Sequence, residues 1–349
     1  MKVTIGVIGF GWMAYYHYRN ILPKQEDFSI VSSYDIDPER RQFCEKLGMK
    51  SYDNLDAFLS DPSFATVLVA TPNNFHKEMC IACMRAGKNV ICEKPVAMNA
   101  AETEEMIEVS EETGVIFTVH QNRRRDRDYK SVRKVIAERT IGDIFLIESR
   151  VDGSNGIPSD WRRVKESGGG MLLDWGPHLI DQLLLLDETP LIEVHAQMQK
   201  VAYDVDDNFQ AHLTFQDGLS MLAEVSTACF LPLPRWHVLG SNGTLDILNF
   251  KNEGKIRRGT VKEVDWSIEQ VENYAGSTRT MRPRPDNTIE TFGNPEAETD
   301  WEEFYYNYQR VLEGKDKLLV DPHDSLRVMK VIDLIRQSAE EGHSIQCLL

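Results

Sequence analysis

The sequence predicts an α/β fold with two domains, a doubly wound parallel sheet over residues 1–121 and a second domain over residues 122–322. Two patterns lead to this prediction. Up to residue 121, short apolar runs alternate with helical periods, which is typical of a parallel sheet covered by helices on both faces. After residue 122 strand-like segments dominate, and turns such as Gln216-Asp217-Gly218 join several of them, which indicates a largely antiparallel sheet.

The elements are expected in the following order. The first domain has strands at 3–8, 28–34, 66–70, 89–92 and 115–119, a weaker one near 50–52, and helices at 12–21, 38–47, 55–60, 75–86 and 100–113. The second has a helix at 126–138 and strands at 144–151, 192–201, 209–215, 219–228, 236–239 and 244–248. Residues 274–300 are polar and proline-rich, which predicts an irregular loop. A final helix at 323–340 is expected to pack back against the first domain.

Composition excludes several classes of partner. The chain has 349 residues and a formal net charge of −16, which argues against nucleic acid or an anionic membrane surface. Its longest later apolar stretch, residues 183–186, is far too short to span a bilayer. Six scattered cysteines fit a reducing cytoplasm. Cys80 and Cys83 form a C-x-x-C pair, but they lie inside a helical pattern, so we interpret them as packing residues rather than a redox or zinc site.

The first turn after a strand is Gly9-Phe10-Gly11-Trp12-Met13-Ala14, which has the spacing of a dinucleotide fingerprint. The first glycine permits a tight turn, the second lets the backbone approach a pyrophosphate, and the small third residue lets the helix pack close to the strand. The helix N-terminus would then face the phosphates. Glycine turns that bind nothing are common, so the motif alone leaves both interpretations open.

Asp35 ends the second predicted strand, 26 residues after Gly9. A carboxylate there can accept hydrogen bonds from the adenosine ribose hydroxyls and would repel a 2′-phosphate, which favours NAD over NADP. Alternatively, Asp35 or Asp37 caps the helix that begins near Pro38. Both interpretations can hold, because Asp37 is the better cap and would leave Asp35 free.

Polar residues also follow the other predicted strands. Because the carboxyl ends of parallel strands lie along one edge of a sheet, these segments are expected to line one crevice with the glycine turn and Asp35. They are Thr71-Pro72-Asn73-Asn74 with His76, Glu93-Lys94-Pro95, and Gln121-Asn122. We expect Thr71, Pro72, Asn73, His76 and Gln121 to contact the cofactor.

Lys94 is held at the end of a buried strand by the proline that follows it, so its ammonium points into this crevice. It can donate to a substrate hydroxyl or carbonyl oxygen and stabilise negative charge as the C–H bond breaks. Glu93 is expected to hydrogen-bond the nicotinamide ribose. The alternative is a strand-terminal salt bridge.

A second signal follows Gly168-Gly169-Gly170 and comprises Asp174 and His178. If these two share a helix, they lie on one face at i and i+4, and the carboxylate can orient a general acid-base imidazole. Pro177 complicates a regular helix, so the helix would begin near Pro177 with Asp174 in the preceding turn. The alternatives are a surface ion pair or half of a metal site.

A metal would need His76, Glu93, Asp174 and His178 to converge. No closely spaced ligand set occurs in the sequence, and hydride transfer to a nicotinamide needs no metal, so none is expected. The candidates for substrate contacts across the domain boundary are Asn122, Arg123, Trp161 and Arg162, together with Lys94, Asp174 and His178.

These segments together resemble the glucose-fructose oxidoreductase / inositol dehydrogenase / rhizopine catabolism (Gfo/Idh/MocA) family. The resemblance rests on the glycine turn, Asp35, Thr71-Pro72-Asn73 with His76, Glu93-Lys94-Pro95, and Gly169-Gly170 through Asp174 to His178. It implies an N-terminal Rossmann domain of six parallel strands. It also implies a C-terminal α+β domain whose large, mostly antiparallel open sheet builds a homodimer or homotetramer. By the same resemblance Lys94 is the catalytic lysine, and Asp174 and His178 are the assisting carboxylate and the acid-base histidine.

We therefore expect a cytoplasmic, NAD-dependent oxidoreductase that transfers a hydride between the nicotinamide and a secondary alcohol of a sugar, sugar derivative or cyclitol. NADP is the less favoured cofactor. His178 would remove the hydroxyl proton, Asp174 would support the imidazolium, and Lys94 would stabilise the oxyanion; whether His178 or Lys94 is the immediate base stays open. Two alternatives remain, a sugar-sensing regulator that has lost catalysis and an enzyme that holds NAD tightly and recycles it within each turnover.

Overall fold

The computed structural model describes residues 1–158, 160–261, 271–273, 276–278 and 284–349. Within these ranges the first sheet has six strands, β1 (Val3–Ile8), β2 (Phe28–Tyr34), β3 (Lys50–Tyr52), β4 (Thr66–Val69), β5 (Asn89–Cys92) and β6 (Phe117–Val119). All are parallel and run in the order β3-β2-β1-β4-β5-β6. The order reverses between β1 and β4, where doubly wound sheets bind their ligands. The predicted fold class of this half is confirmed.

The helices of this half are α1 (Trp12–Tyr16), which continues into a π-helical turn His17–Ile21, α2 (Pro38–Lys46), α3 (Leu55–Leu59), α4 (His76–Arg85) and α5 (Ala100–Thr113). Local residues explain where they begin and end. Asp37 caps α2 by accepting the Glu39 N–H at 2.9 Å, with Pro38 in the first turn, as the sequence predicts. Asn99 caps α5, which ends at Gly114 in the left-handed region.

The second half begins with α6 (Arg127–Ala137), α7 (Met171–Asp174) and α8 (Gly176–Leu184). Its strands are β7 (Ile144–Asp152), β8 (Leu191–Gln199), β9 (Asn208–Phe215), β10 (Ser220–Ser226), β11 (Trp236–Gly240), β12 (Gly243–Ile247), β13 (Gly254–Gly259), β14 (Val271–Asn273), β15 (Gly276–Thr278), β16 (Ile289–Phe292) and β17 (Ile345–Gln346). Two helices, α9 (Glu303–Leu312) and α10 (Pro322–Glu341), lie before β17.

Nine of these strands form one open sheet in the described part of the chain, in the order β16-β13-β12-β11-β7-β10-β9-β8-β17. All pairings are antiparallel except that of β7 with β10. The mostly antiparallel second sheet is therefore confirmed. Helices α8 and α10 cover one of its faces, and β14 pairs with β15 apart from it.

Several elements differ from the sequence prediction. Strands β13, β16 and β17 and helix α9 lie where no element was predicted. Strands β15 and β16 fall inside 274–300, which was predicted to be an irregular loop; residues 274–275 and 279–283 of that loop lie outside the described residues. Strand β13 was missed because one buried residue, Ile256, alternates with lysine and arginine.

Helices α9 and α10 return to the first sheet from the end of the chain. Tyr308 of α9 is buried, and its hydroxyl lies 3.0 Å from Thr66 Oγ1 at the start of β4. In α10, Asp333 accepts the Ala100 N–H at the start of α5 (2.8 Å), while Ser338 Oγ accepts the N–H of Ala196 in β8 (2.9 Å). Helix α10 thus contacts both halves. No helix among the described residues is long and apolar enough to cross a membrane.

Candidate active site

A cavity of about 720 Å³ lies between the two halves, at the carboxyl edge of the first sheet. Both halves contribute to its walls. The sequence-predicted residues that line it are Gly11, Trp12, Met13, Thr71, Pro72, Asn73, His76, Glu93, Lys94, Asn122, Arg123, Trp161, Arg162, Asp174 and His178. The predicted residues that do not line it are Gly9, Phe10, Ala14, Asp35 and Gln121. The crevice expected from the strand ends is thus present, with Lys94 and His178 in the same cavity.

The glycine turn has the shape that a dinucleotide requires. Gly9 has φ of 81°, and a Cβ there would lie 3.0 Å from the carbonyl oxygen of Ala70. Gly11 precedes α1 and provides no side-chain cap, so the first backbone N–H groups of the helix are available to donate to a phosphate. Ala14 is fully buried, which lets the helix pack on the sheet. Gly9 and Ala14 therefore shape the turn, while Gly11 faces the cavity.

Asp35 accepts more hydrogen bonds from the protein than the sequence predicts. One carboxylate oxygen accepts the Phe10 N–H at 2.8 Å and the other accepts the Asp37 N–H at 2.9 Å, so the side chain supports the glycine turn. Each oxygen keeps a further lone pair. Arg40, which the sequence analysis missed, lines the cavity with Nη1 3.8 Å from Asp35 Oδ2. Its place in the first turn of α2, five residues after Asp35, was the available signal.

Lys94 and Asp174 form an ion pair across the boundary between the halves. Lys94 Nζ lies 3.0 Å from Asp174 Oδ1 and 2.9 Å from the Asp174 carbonyl oxygen. Arg162 Nε lies 3.4 Å from the same Oδ1. Burial opposes ionisation of Asp174, but Lys94 and Arg162 outweigh it and hold the pKa of this carboxyl below its ordinary value. Asp174 therefore fixes Lys94 as an ammonium at the cavity wall.

His178 does not form the expected pair with Asp174. Helix α7 ends at Asp174 and α8 begins at Gly176, as Pro177 suggested, so the i, i+4 spacing does not apply. The His178 ring instead packs against Trp175 at 5.6 Å, and its buried Nδ1 has no hydrogen-bond partner among the residues that the structure describes. Burial and the charges of Lys94 and Arg123 hold the pKa of His178 well below its ordinary value. The imidazole is therefore neutral at neutral pH.

His76 and Asn73 line the cavity, but both side chains form hydrogen bonds to backbone carbonyls of the protein. His76 Nδ1 lies 2.7 Å from the Pro95 carbonyl and Nε2 lies 3.0 Å from the Thr71 carbonyl. Burial would lower the pKa of His76, but Cys92 and these two carbonyls outweigh it and raise the pKa to about 9. Asn73 Nδ2 donates to the Gly168 carbonyl at 2.9 Å, which ties the glycine-rich turn to the first domain. Neither ring nitrogen of His76 is free for a cofactor or metal.

The remaining predicted residues divide between the cavity and its surroundings. Arg123 lies 4.4 Å above the Trp175 ring and donates Nη1 to Asp126 at 2.8 Å. The Arg162 guanidinium packs on Trp161 at 4.5 Å. Gln121 is buried behind the wall. Lining residues that the sequence analysis missed are Tyr16, Arg40, Ala70, Pro158, Asp160, Trp175 and Trp301. Trp301 carries no local signal because it reaches the cavity from the far end of the chain.

Comparison with known proteins agrees with this geometry. The family model described as "Oxidoreductase family, NAD-binding Rossmann fold" of the Gfo/Idh/MocA group matches residues 3–121, and the model of the family's C-terminal domain matches residues 129–246. The crystal structure of an NAD-binding protein from Listeria innocua has a TM-score of 0.93 and 35% sequence identity, covering 99% of each chain. The chain belongs to the Gfo/Idh/MocA family. It is accordingly an NAD(P)-dependent oxidoreductase.

Two named relatives act on cyclitols. A scyllo-inositol 2-dehydrogenase (NADP(+)) from Bacillus subtilis is 26% identical over 98% of this chain and 95% of that protein. A myo-inositol 2-dehydrogenase from Thermotoga maritima is 34% identical over 56% of this chain and 58% of that protein. These relatives differ from this chain at most positions.

Proposed function

We propose that this protein reversibly oxidises a secondary alcohol of a sugar, sugar derivative or cyclitol, using NAD⁺ as the hydride acceptor. One observation carries the proposal. An ammonium held by a carboxylate, Lys94 with Asp174, lines the same cavity as the neutral imidazole of His178 and the glycine turn. The named activities of the inositol dehydrogenases among its relatives support the substrate class.

The charge states of Lys94 and His178 give the two side chains different roles in the proposed reaction. Lys94 is held in place by the Asp174 carboxylate and would donate a hydrogen bond to the substrate oxygen on which negative charge develops. His178 is neutral and therefore able to accept the hydroxyl proton as general base. Asp174 acts on Lys94 rather than on the imidazolium. This assignment makes His178 the immediate base.

The bound dinucleotide supplies a nicotinamide ring that accepts the hydride. Gly11, Trp12 and Met13 would hold its pyrophosphate, and the Thr71-Pro72-Asn73 segment would lie beside the nicotinamide nucleoside. Asp35 would accept ribose hydroxyls with its remaining lone pairs, which favours NAD over NADP. Asn122, Arg123, Trp161 and Arg162 would contact the polyhydroxylated substrate on the opposite wall.

We also propose that the protein is a homodimer or homotetramer assembled through the open face of the nine-stranded sheet. Helices cover the other face of that sheet. On the open face, Arg150 lies 2.8 Å from both Glu148 and Glu224, so the surface is a network of paired charges around the apolar side chain of Leu222. Such a face can pair with its own copy.

The experiment is a screen of NAD⁺ and NADP⁺ reduction with inositols, aldoses, glucosides and sugar acids. With an active substrate, Lys94→Ala and His178→Ala should each lower kcat by about 10²–10⁴-fold while NADH still binds in calorimetry. Lys77→Ala and His343→Ala, which alter a surface lysine and a surface histidine outside the cavity, are the controls. Wild-type turnover in either cavity variant would refute the assignment.

The same screen separates the alternatives. NADH binding without reduction of cofactor by any polyol would favour a regulator. Cofactor that stays with the protein through gel filtration would favour an enzyme that recycles NAD within each turnover.

A further inference from the structure

Glu93 is both buried and ionisable, and these two properties conflict unless neighbouring groups donate hydrogen bonds to it. Its side chain is 4% exposed, and it lines the cavity next to Lys94. A buried carboxylate is strongly destabilising unless donors satisfy its oxygens. The donors therefore decide both the charge of Glu93 and the direction in which its second oxygen points.

Two imidazoles donate hydrogen bonds to the same carboxylate oxygen of Glu93. His17 Nε2 lies 2.6 Å from Glu93 Oε1, and His120 Nδ1 lies 2.9 Å from it. A carboxylate only accepts hydrogen bonds, so both of these nitrogens carry hydrogen. Against the cost of burial, the two histidines hold the pKa of Glu93 below its ordinary value.

Tyr305 fixes the tautomer of the first imidazole. Because His17 Nε2 carries hydrogen, the neutral ring presents a lone pair at Nδ1, and the Tyr305 hydroxyl donates to it at 2.7 Å. His17, His120 and Tyr305 are fully buried. We name this set, Tyr305, His17, Glu93 and His120, the Glu93 chain. Its members come from α9, the turn after α1, and the ends of β5 and β6.

The Glu93 chain has the geometry of hydrogen bonds rather than of a metal centre. Within the described ranges, His17, Glu93 and His120 are the group whose ligand atoms lie close enough to hold an ion. The 2.6 Å contact is shorter than the roughly 3 Å that separates two ligands of one tetrahedral zinc. Structural zinc also takes four ligands, whereas this group offers three.

The second carboxylate oxygen is the one left for a ligand. Glu93 Oε2 accepts the Lys94 backbone N–H at 3.2 Å and has no other hydrogen bond to the described residues. We propose that His17, His120 and Tyr305 are positioning residues for the cofactor, which hold Oε1 of Glu93 and keep Oε2 turned toward a ribose hydroxyl of the dinucleotide. This inference rests on the proposed function.

Two tyrosines of α9 provide a matched test. Tyr308 is as buried as Tyr305, but its hydroxyl pairs with Thr66 outside the Glu93 chain. Tyr305→Phe and Tyr308→Phe each remove one buried hydroxyl, so both should lower thermal stability to a similar extent. We expect Tyr305→Phe to bind NADH about fivefold more weakly in calorimetry, because the buried Nδ1 of His17 loses its donor and the ring is held less firmly against Glu93. Tyr308→Phe should bind NADH like the wild type.

A second pair tests the donor itself. His17→Gln keeps an N–H that can reach Glu93, whereas His17→Leu removes it. The titratable groups around Glu93 are His17, His120, Tyr305, Cys92 and the following Lys94. In His17→Leu one of the two donors to Glu93 Oε1 is lost and the carboxylate is held less firmly, so NADH should bind roughly fivefold more weakly than to the wild type. His17→Gln should bind NADH like the wild type.

The outcomes separate this inference from the proposed function. Equal weakening by the two tyrosine variants, no weakening by either, identical behaviour of His17→Gln and His17→Leu, or a stoichiometric metal in the dialysed protein would each overturn the positioning role while leaving the dehydrogenase assignment intact. A wild-type protein that does not bind NADH would overturn both.

Discussion

Lys94 and His178 line one cavity, the first as a cation and the second as a neutral ring, and single neighbouring side chains explain the difference. The carboxylate of Asp174 forms an ion pair with Lys94 at 3.0 Å. In the described part of the chain His178 has no acidic partner, and burial and the cations around it disfavour the imidazolium. The i, i+4 spacing predicted that Asp174 would pair with His178, but that spacing brings two residues together only within one continuous helix. The helix breaks at Trp175, and the Asp174 carboxylate lies against Lys94 instead.

A pH prediction follows from the surroundings of His178. In the proposed mechanism His178 must be neutral to accept the hydroxyl proton, so its lowered pKa would extend alcohol oxidation to lower pH. Removing one cation in Arg123→Gln should raise that pKa and move the acidic limb of kcat/KM to higher pH by roughly half to one unit. Arg163→Gln, which changes an arginine bonded to the Ile157 carbonyl outside the cavity lining, should leave the limb in place. A shift to lower pH would contradict the prediction.

The proposed preference for NAD also depends on single charges. In that proposal Asp35 disfavours a 2′-phosphate, while Arg40 beside it favours one. Asp35→Asn should therefore raise the ratio of NADP⁺ to NAD⁺ kcat/KM by roughly tenfold. Arg40→Gln should lower the same ratio. An unchanged ratio in both variants would show that neither side chain contacts the adenosine ribose.

At the scale of elements, the short helix α7 is placed by its N-terminal cap. Asp206 accepts the Leu172 N–H at 2.6 Å, and the Asp206 carbonyl accepts the Met171 N–H at 2.8 Å. The preceding Gly170 has φ of 106°, and a Cβ there would lie 2.1 Å from Asp206 Oδ1. The glycine and the cap together set where α7 begins, and with it the position of Asp174 one turn later.

This cap predicts a pH-dependent stability. Burial raises the pKa of Asp206 to about 6, so the folded protein binds this proton more tightly than the unfolded chain. Stability should fall as the pH rises from about 4 to about 6, and the full penalty persists above that. Asp206→Asn should raise Tm by roughly 2–4 °C at about pH 8 and by less at about pH 5. The control is Asp204→Asn at an exposed site; equal gains at both pH values would refute the cap's role.

At the scale of the whole molecule, the open sheet face predicts self-association. Leu222 lies on this face with Glu148 and His212 as cross-strand neighbours. Leu222→Glu would place a second carboxylate beside Glu148 on this face. The variant should convert the proposed assembly to monomers, while its far-ultraviolet circular dichroism spectrum stays unchanged. Light scattering after gel filtration measures the mass. Tyr306→Glu on α9 is the control, and a wild-type monomer would refute the proposed assembly.

Local signals explain what the sequence predicts correctly. Strands β1, β2 and β5 have the predicted bounds because apolar runs end at glycine or charged residues, and Asp37 caps α2 because proline follows it. Contacts between distant segments carry no such signal. Tyr305 reaches His17 across 288 positions of the chain. Most lining residues of the cavity were predictable because strand ends share one edge, whereas the partners of each side chain depended on packing.

The return of α9 to the first sheet has a practical consequence for chimaeras of this family. Tyr305 packs on Phe28 at 5.3 Å, and Tyr308 pairs with Thr66, so residues of α9 complete the interior of the nucleotide-binding half. A fragment cut at residue 121 would leave that apolar interior open to water. A graft that exchanges cofactor-binding halves between relatives must therefore carry this helix along with them.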